Sequence, residues 1–150
     1  MCINFCYVCY ENSTLMRKTL LIVDDDPDDV QLFCEAVHEV DKSFLCPTAH
    51  SGEEALQLLK DALIKPDFIF LDLNMPRMGG KQFLALLKKD PQFAKIPVII
   101  YTTSKTKKDL EDSIRLGAAS FLTKPSKFEN LVKAISYVLS GDWERISKLQ

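Results

Sequence analysis

Short apolar runs alternate with amphipathic stretches along most of the chain. Two of these runs are continuously apolar, which is typical of strands that are covered on both faces of a sheet. Together with three further β-rich runs, they predict five strands: Thr19–Val23, Phe44–Ala49, Phe68–Leu71, Val98–Tyr101 and Ser120–Thr123.

Amphipathic helices fill the intervals between these strands. The clearest is the last, in which one apolar stripe is formed by Phe128, Leu131, Val132, Ile135, Val138 and Leu139. Two pairs are typical of capping boxes at helix starts, namely Ser51 with Glu54 and Ser126 with Glu129. Gly117 is typical of a helix end.

The resulting (βα)₅ order predicts an α/β fold. Its sheet is doubly wound, five-stranded and parallel, with helices on both faces and right-handed crossovers. In such sheets, functional residues gather in the loops that follow the carboxyl ends of the strands. These loops are therefore the expected place for any chemistry.

Composition narrows the range of functions. The 150 residues are 47% hydrophobic and 27% charged, with a formal net charge of −2. That balance is normal for one soluble domain and does not favour a nucleic-acid or polybasic membrane surface. No apolar run is long enough for a transmembrane helix. Five cysteines without a secretory signal predict reduced thiols in a cytoplasmic protein.

Acidic residues follow the first and the third predicted strand. Asp24 and Asp25 begin the first of these loops, and Asp72 begins the other. Because both loops leave the same edge of the sheet, we expect the three carboxylates to converge. Such a cluster repels itself and needs a cation, and an all-oxygen site with room for water suits Mg²⁺ better than a soft metal.

Hydroxyl and amine groups follow the fourth and fifth predicted strands. Thr102, Thr103 and Ser104 come after the fourth strand, and Lys124 after the fifth. A cation, an ammonium and a hydroxyl around a nucleophilic carboxylate form a pocket for a phosphoryl group. Each residue alone has an ordinary reading as a cap or turn residue, but the joint pattern on four strand ends favours the site.

Four stretches of the chain resemble the receiver domains of two-component response regulators: LLIVDDDPDD, FIFLDLNMPRMGG, IPVIIYTTS and GAASFLTKPS. The likeness extends from Thr19 to about Leu139 and implies the flavodoxin-like strand order 2-1-3-4-5. It implies that Asp72 is the phosphoacceptor and that a sensor histidine kinase or phosphotransfer protein supplies the phosphoryl group. Asp24, Asp25 and Asp72, with the backbone carbonyl of Asn74, would bind Mg²⁺.

The resemblance also implies a switch. Thr102 would be drawn toward the phosphoryl group, which Lys124 would bind, and Phe121 would rotate inward into the space released. The face formed by the fourth helix, fifth strand and fifth helix would then be remodelled. The peptide bond before Pro125 is expected to be cis.

Within this family the chain is similar to small stand-alone regulators that partner phytochrome-type histidine kinases. The likeness rests on DDDPDD, LNMPRM, the TTS triplet and Trp143. It implies a homodimer through the face of the fourth and fifth helices. With no output domain expected after Leu139, the output would pass through protein–protein contacts. Gly79 departs from the family pattern and is expected to loosen its loop, and Thr103 is larger than usual.

The predicted organisation is a disordered extension at 1–17, a receiver domain at 18–142 and a C-terminal tail at 143–150. Cys2, Cys6 and Cys9 have the C-x₃-C-x₂-C spacing of radical S-adenosylmethionine enzymes, but the large barrel of those enzymes does not fit this length. An overlong gene start, with Met16 as the true first residue, would also account for the extension.

Two other functions stay open at this point. A Mg²⁺-dependent phosphohydrolase also uses an aspartyl nucleophile, but haloacid-dehalogenase-like enzymes need a second acid where this chain has Asn74. A receiver-like scaffold would act through protein contacts without phosphate. The complete set of groups favours the switch, with slow self-phosphorylation from small donors and self-dephosphorylation at most.

Overall fold

The computed structural model describes residues 17–149, in which five parallel strands alternate with five helices. The strands are β1 Leu20–Val23, β2 Thr48–Ala49, β3 Phe68–Leu71, β4 Val98–Thr102 and β5 Ser120–Thr123. The helices are α1 Pro27–Val40, α2 Gly52–Lys60, α3 Gly80–Lys89, α4 Lys107–Arg115 and α5 Phe128–Ser140. The strand order β2-β1-β3-β4-β5 confirms the predicted doubly wound α/β fold.

Alternation of side chains along each strand divides the core in two. Leu21 and Val23 of β1 point to one face, where they pack in the same cluster as apolar residues of α2 and α3. Leu20 and Ile22 point to the other face, toward residues of α1 and α5. All four residues of β1 are fully buried, so this strand lies at the centre of the molecule and fixes the position of the loop that follows it.

Local signals account for the start of α1. Asp26 caps the helix, and its side chain accepts hydrogen bonds from the backbone N–H groups of Asp28 and Asp29. Pro27 is the first helical residue, where its missing N–H has no consequence. Phe33 is fully buried against Phe70 and Tyr101, which anchors α1 to the sheet.

Two local predictions are wrong. The predicted strand Phe44–Ala49 is reduced to Thr48–Ala49 plus one bridge between Thr19 and Leu45, because Pro47 has no N–H with which to continue an edge strand. The helix predicted to be capped by Ser126 begins one residue later, after Lys127, with no side-chain cap. Half of the other predicted box is formed: Ser51 accepts from the N–H of Glu54, but the Glu54 carboxylate accepts from the N–H of His50 and not from that of Ser51.

The segment that follows α5 packs against the core. Gly141 ends α5 in a left-handed conformation, and Trp143–Leu149 then forms a 3₁₀ helix. Ile146 is fully buried, and the ring of Trp143 lies 6.3 Å from that of Phe68. Part of the predicted tail is therefore integrated into the α1/α5 side of the fold.

The helix α4 is the least buried of the five. Ser113 is its one buried residue, and Leu110 and Ile114 are 40% and 49% exposed. Gly117 follows with a φ of 102°, as expected for a helix end.

Between residues 17 and 149, none of the helices is both long and apolar enough to cross a bilayer. The predicted extension at 1–17 lies outside the described residues except for its last residue, Arg17. Its three cysteines, Cys2, Cys6 and Cys9, are therefore not described.

Candidate functional site

The three predicted carboxylates meet at the carboxyl edge of the sheet. One oxygen from each of Asp24, Asp25 and Asp72 lies within 4.8 Å of the other two. Asp24 is fully buried and Asp72 is 4% exposed, whereas Asp25 faces solvent. The expected convergence is therefore present, with one side open to an incoming ligand.

Backbone pairing of the central strands positions these acids. The N–H of Asp24 donates to the carbonyl of Ala49 at 3.0 Å, and the N–H of Asp72 donates to that of Val23, also at 3.0 Å. Both acids therefore begin their loops while still held by the sheet. One oxygen of Asp24 also accepts the N–H of Asp26 at 2.9 Å, which fixes the orientation of this carboxylate.

Lys124 enters the cluster from the end of β5. Its Nζ atom lies 2.6 Å from Asp24 Oδ2 and 2.7 Å from Asp29 Oδ2, but 4.0 Å from Asp72 Oδ1. The same ammonium lies 5.3 Å from the centre of the Tyr101 ring. Lys124 is thus held beside Asp72 by two other acids.

Asp29 is a component of the site that the sequence patterns did not single out. It lies in the first turn of α1, and its side chain is 32% exposed. The signal was present as the last acid of the run Asp24–Asp29, but a first-turn acid is ordinary in any helix. Only the packing of α1 on the sheet turns this side chain toward Lys124.

Burial dominates the electrostatics of the cluster. It raises the pKa of Asp24 and of Asp72 above their usual value, and the nearby Lys124 opposes this effect only in part. Burial also acts to lower the pKa of Lys124, but its contacts with Asp24 and Asp29 outweigh burial, and the pKa is raised. Lys124 therefore stays protonated at neutral pH.

The donor set fits a hard divalent cation. All three cluster residues offer carboxylate oxygens, and the single ammonium is already shared between Asp24 and Asp29. Lys124 reaches Asp72 only at 4.0 Å, and Asp25 forms no ion pair with any of the described residues. Oxygen-only donors with one open, solvent-facing side are the environment that Mg²⁺ or Mn²⁺ prefers.

Thr102 lies beside the cluster at the end of β4. It is fully buried, and its Oγ1 atom accepts the side-chain N–H of Asn74 at 3.4 Å and the backbone N–H of Ser104 at 3.3 Å. Asn74 is exposed in the loop after β3, and Thr103 is also exposed. The hydroxyl is thus the point where the β3 and β4 loops touch.

A polar network continues from this hydroxyl to α4. The Ser104 hydroxyl donates a short hydrogen bond to Asp109 in the first turn of α4. Lys81 of α3 then bridges Asp109 at 2.7 Å and Asp112 at 2.8 Å. The hydrogen bond from Lys81 is the main reason that the pKa of Asp109 is lowered to about 2. The start of α4 is therefore tied to the candidate site through charged and polar contacts.

Phe121 lies on β5 and is 8% exposed. It lines a groove of about 480 Å³ between α4, β5 and α5, together with Leu110, Lys124 and Leu149. The groove thus joins the candidate site to the face that the sequence predicted to change.

All peptide bonds in the described residues are trans, so the expectation of a cis bond before Pro125 is wrong. The trans form is the lower-energy isomer of a prolyl bond.

Comparison with known proteins identifies relatives of this architecture. The sequence model of one protein family, the response regulator receiver domain, matches residues 20–136 of this chain. Protein PilH of Pseudomonas aeruginosa is 35% identical over 122 residues, which cover 81% of this chain and 98% of PilH. Several other relatives are longer proteins, of which the chain spans half or less.

Two solved structures have the same fold. One is the Mn²⁺-bound form of the response regulator Rcp1, a protein of Synechocystis, which is 29% identical in sequence. The alignment covers 85% of this chain and 95% of the Rcp1 chain, with a TM-score of 0.73. The phosphorylated cyanobacterial phytochrome response regulator RcpA is 30% identical, covers 85% and 94%, and has a TM-score of 0.75.

Proposed function

The chain belongs to the response regulator receiver domain family of two-component signal transduction, and on that basis we propose that Asp72 is its phosphoacceptor. The observation that carries this assignment is the position of Asp72. It is nearly buried, lies within 4.8 Å of two further carboxylates, and has a protonated lysine 4.0 Å away. A phosphoryl group on Asp72 would therefore enter a pocket already equipped with charge partners.

The proposed metal is Mg²⁺. Asp24, Asp25 and Asp72 would hold it together with the backbone carbonyl of Asn74. When bound, the cation neutralises negative charge on the phosphoryl oxygens. The Mn²⁺-bound form of Rcp1 supports a divalent cation in this family, and the oxygen-only donors of this chain favour Mg²⁺.

The chain's own residues then supply the transfer step. A carboxylate oxygen of Asp72 would attack the phosphorus of a phosphohistidine; the P–N bond breaks, the donor's imidazole leaves with that electron pair, and an acyl phosphate forms on Asp72. Lys124 moves from Asp24 and Asp29 toward a phosphoryl oxygen, a movement that its 4.0 Å distance from Asp72 makes short. Asn74 cannot act as a general acid, so the proposal includes no rapid turnover of phosphate esters.

Phosphorylation would be transmitted through Thr102. Drawing its hydroxyl toward the phosphoryl group breaks the contacts from Asn74 and Ser104. Ser104 is bound to Asp109 of α4, so this loss reaches the start of that helix. Phe121 is already buried in this structure, so it would keep its inward position in the switched state. The proposed outcome is a changed surface on α4, β5 and α5.

The proposed partners are a sensor histidine kinase or a phosphotransfer protein, and a second copy of the chain. RcpA, described as a phytochrome response regulator, supports a phytochrome-type kinase. Leu110, Ile114 and Phe128 are 37–49% exposed on α4 and α5, which supports protein contact at this face. A cytoplasmic location fits the free thiols of the described cysteines.

Acetyl phosphate with Mg²⁺ is expected to add one phosphoryl group to Asp72 of the full chain. Chelation of the metal with EDTA should lower the initial rate by more than about tenfold, because the clustered acids then repel the donor. Intact mass and peptide mapping measure the product, which hydroxylamine should cleave as an acyl phosphate. A hydroxylamine-stable product, or labelling that EDTA leaves unchanged, contradicts the proposal. Rapid turnover of generic phosphate esters would favour the phosphohydrolase.

Replacing Asp29 with Asn is expected to raise the initial rate of this labelling by about two- to fivefold. The change removes one of the two acids that hold Lys124, so that its ammonium reaches the phosphoryl site more readily. Labelling at several concentrations of acetyl phosphate would measure the effect.

Asp28→Asn is the matched control for this change. Asp28 lies one residue earlier in the same helical turn, is exposed, and forms no ion pair in the described part of the chain. The Asp28→Asn substitution removes the same negative charge as Asp29→Asn but leaves the contacts of Lys124 intact. Equal rates for the two variants would show that Asp29 acts only through net charge.

A further inference from the structure

Two cysteines outside the acidic cluster face each other across the edge of the sheet. Cys34 lies in α1, and Cys46 precedes β2. Their Sγ atoms are 2.6 Å apart, only about half an ångström more than in a disulfide bond. Both are free thiols and both are partly exposed.

Both backbone segments are held in place by contacts that do not involve sulfur. On α1, Phe33 and Val37 are fully buried on either side of Cys34. On the other segment, the N–H of Leu20 donates to Leu45 at 2.9 Å and that of Ile22 donates to Pro47 at 3.1 Å. Cys46 lies between these two bonds, so the fold itself determines that the thiols meet.

The two sulfur atoms differ in chemical character. Hydrogen bonding from Cys46 lowers the pKa of the Cys34 thiol, whereas the same contact and burial raise the pKa of Cys46. The thiolate is the reactive form of cysteine, so the direction of these two shifts favours Cys34 as the first nucleophile of the pair. Cys46 lines an open groove of about 510 Å³, which gives small reagents access to this edge of the protein.

We propose that Cys34 and Cys46 form a reversible oxidation site that reacts with low-molecular-weight disulfides. The Cys34 thiolate attacks one sulfur of a disulfide such as oxidised glutathione, the S–S bond breaks, and one glutathione thiolate leaves and takes up a proton. Cys46 then loses its proton and attacks the Cys34 sulfur of the mixed disulfide, and the second glutathione leaves. Two protein thiols are oxidised, and one glutathione disulfide is reduced to two thiols.

The product would join α1 to the edge of the sheet by a covalent bond. The closed segment runs from residue 34 to residue 46 and contains the end of α1. A bond across such a loop restricts the unfolded chain more than the folded one, so the oxidised form should unfold at a temperature several degrees higher. In a reducing compartment the pair would return to thiols.

The test uses the full chain with Cys2, Cys6 and Cys9 replaced by Ser, so that only the proposed pair can react. Oxidised glutathione in native buffer is expected to give a product lighter by two hydrogen atoms, with a Cys34–Cys46 peptide after digestion without reductant. The bond should form at least about tenfold faster in native buffer than in denaturant, because folding brings the thiols together. Dithiothreitol should reverse it.

Single substitutions in the same background identify the role of each thiol. Cys46→Ser should accumulate a stable adduct of one glutathione on Cys34, because no second thiol displaces it. Cys34→Ser should likewise form no intramolecular bond and retain any glutathione on Cys46, because the second thiol is missing. Stable adducts on both cysteines of the parent, or a bond that forms no faster in native buffer than in denaturant, would each overturn the proposal.

Discussion

Asp72→Asn is expected to reduce labelling by acetyl phosphate by more than about a hundredfold, the largest effect of any single change at the site. The amide has the same shape as the carboxylate, but it is a poor nucleophile and a weak metal ligand. The measurement is the initial rate of acyl phosphate formation at saturating Mg²⁺. Asp28→Asn, the same chemical change on an exposed first-turn residue of α1, should label at close to the parent rate.

The same variant should be more stable than the parent protein when no metal is present. Burial raises the pKa of Asp72 in the folded protein, so ionisation of this side chain opposes folding. That penalty is absent below the ordinary pKa of 3.8 and develops as the pH rises through the raised value. At neutral pH, Asn avoids it, and the free energy of unfolding should increase by about 1–2 kcal/mol. Lower stability together with lost labelling would point to misfolding instead.

Gly80→Ala is expected to lower the free energy of unfolding by about 3 kcal/mol and to impair labelling in the protein that still folds. Gly80 is the first residue of α3, and its N–H donates to the carbonyl of Leu73 at 3.1 Å. A Cβ atom here would lie 2.7 Å from Leu73 Cα and closer still to the carbonyl oxygen of Asp72. These are backbone atoms, so the loop that begins with Asp72 would have to move.

Gly79→Ala provides the comparison for this clash. Gly79 precedes Gly80 and has a φ of −65°, which alanine adopts without strain. A Cβ atom there would have only an ordinary contact, 3.8 Å from the carbonyl oxygen of Leu73. We expect a change of less than about 0.5 kcal/mol or a small gain, from a less flexible unfolded chain. Chemical denaturation measures both variants, and equal losses would exclude the proposed clash.

The fold and the acidic cluster could be predicted because both follow from rules of parallel sheets. Apolar runs such as Phe68–Leu71 are recognisable as buried strands, and the strand ends must meet at one edge. This places Asp24, Asp25 and Asp72 together without knowledge of any side-chain contact. The predicted positions of Thr102 and Lys124 at neighbouring strand ends follow from the same rule.

The contacts of Lys124 could not be predicted in the same way. From the sequence, we expected the lysine to serve the phosphoryl group on Asp72, whereas its closest partners are Asp24 and Asp29. The contact with Asp29 depends on how α1 lies over the sheet, where Phe33 packs against Phe70 and Tyr101. A local signal can also override the apolar pattern. The pattern predicted an edge strand at Phe44–Ala49, but Pro47, which has no N–H, limits this strand to Thr48–Ala49.

The limited burial of α4 has a consequence for the free-energy landscape of the domain. With Ser113 as its one buried residue, this helix gains little from the apolar core and depends on the ion pairs of Lys81 and the contact with Ser104. Elements with few buried contacts open at a small fraction of the global free energy of unfolding. The helix that the proposed signal must move is therefore the one that can be displaced at least expense to the rest of the fold.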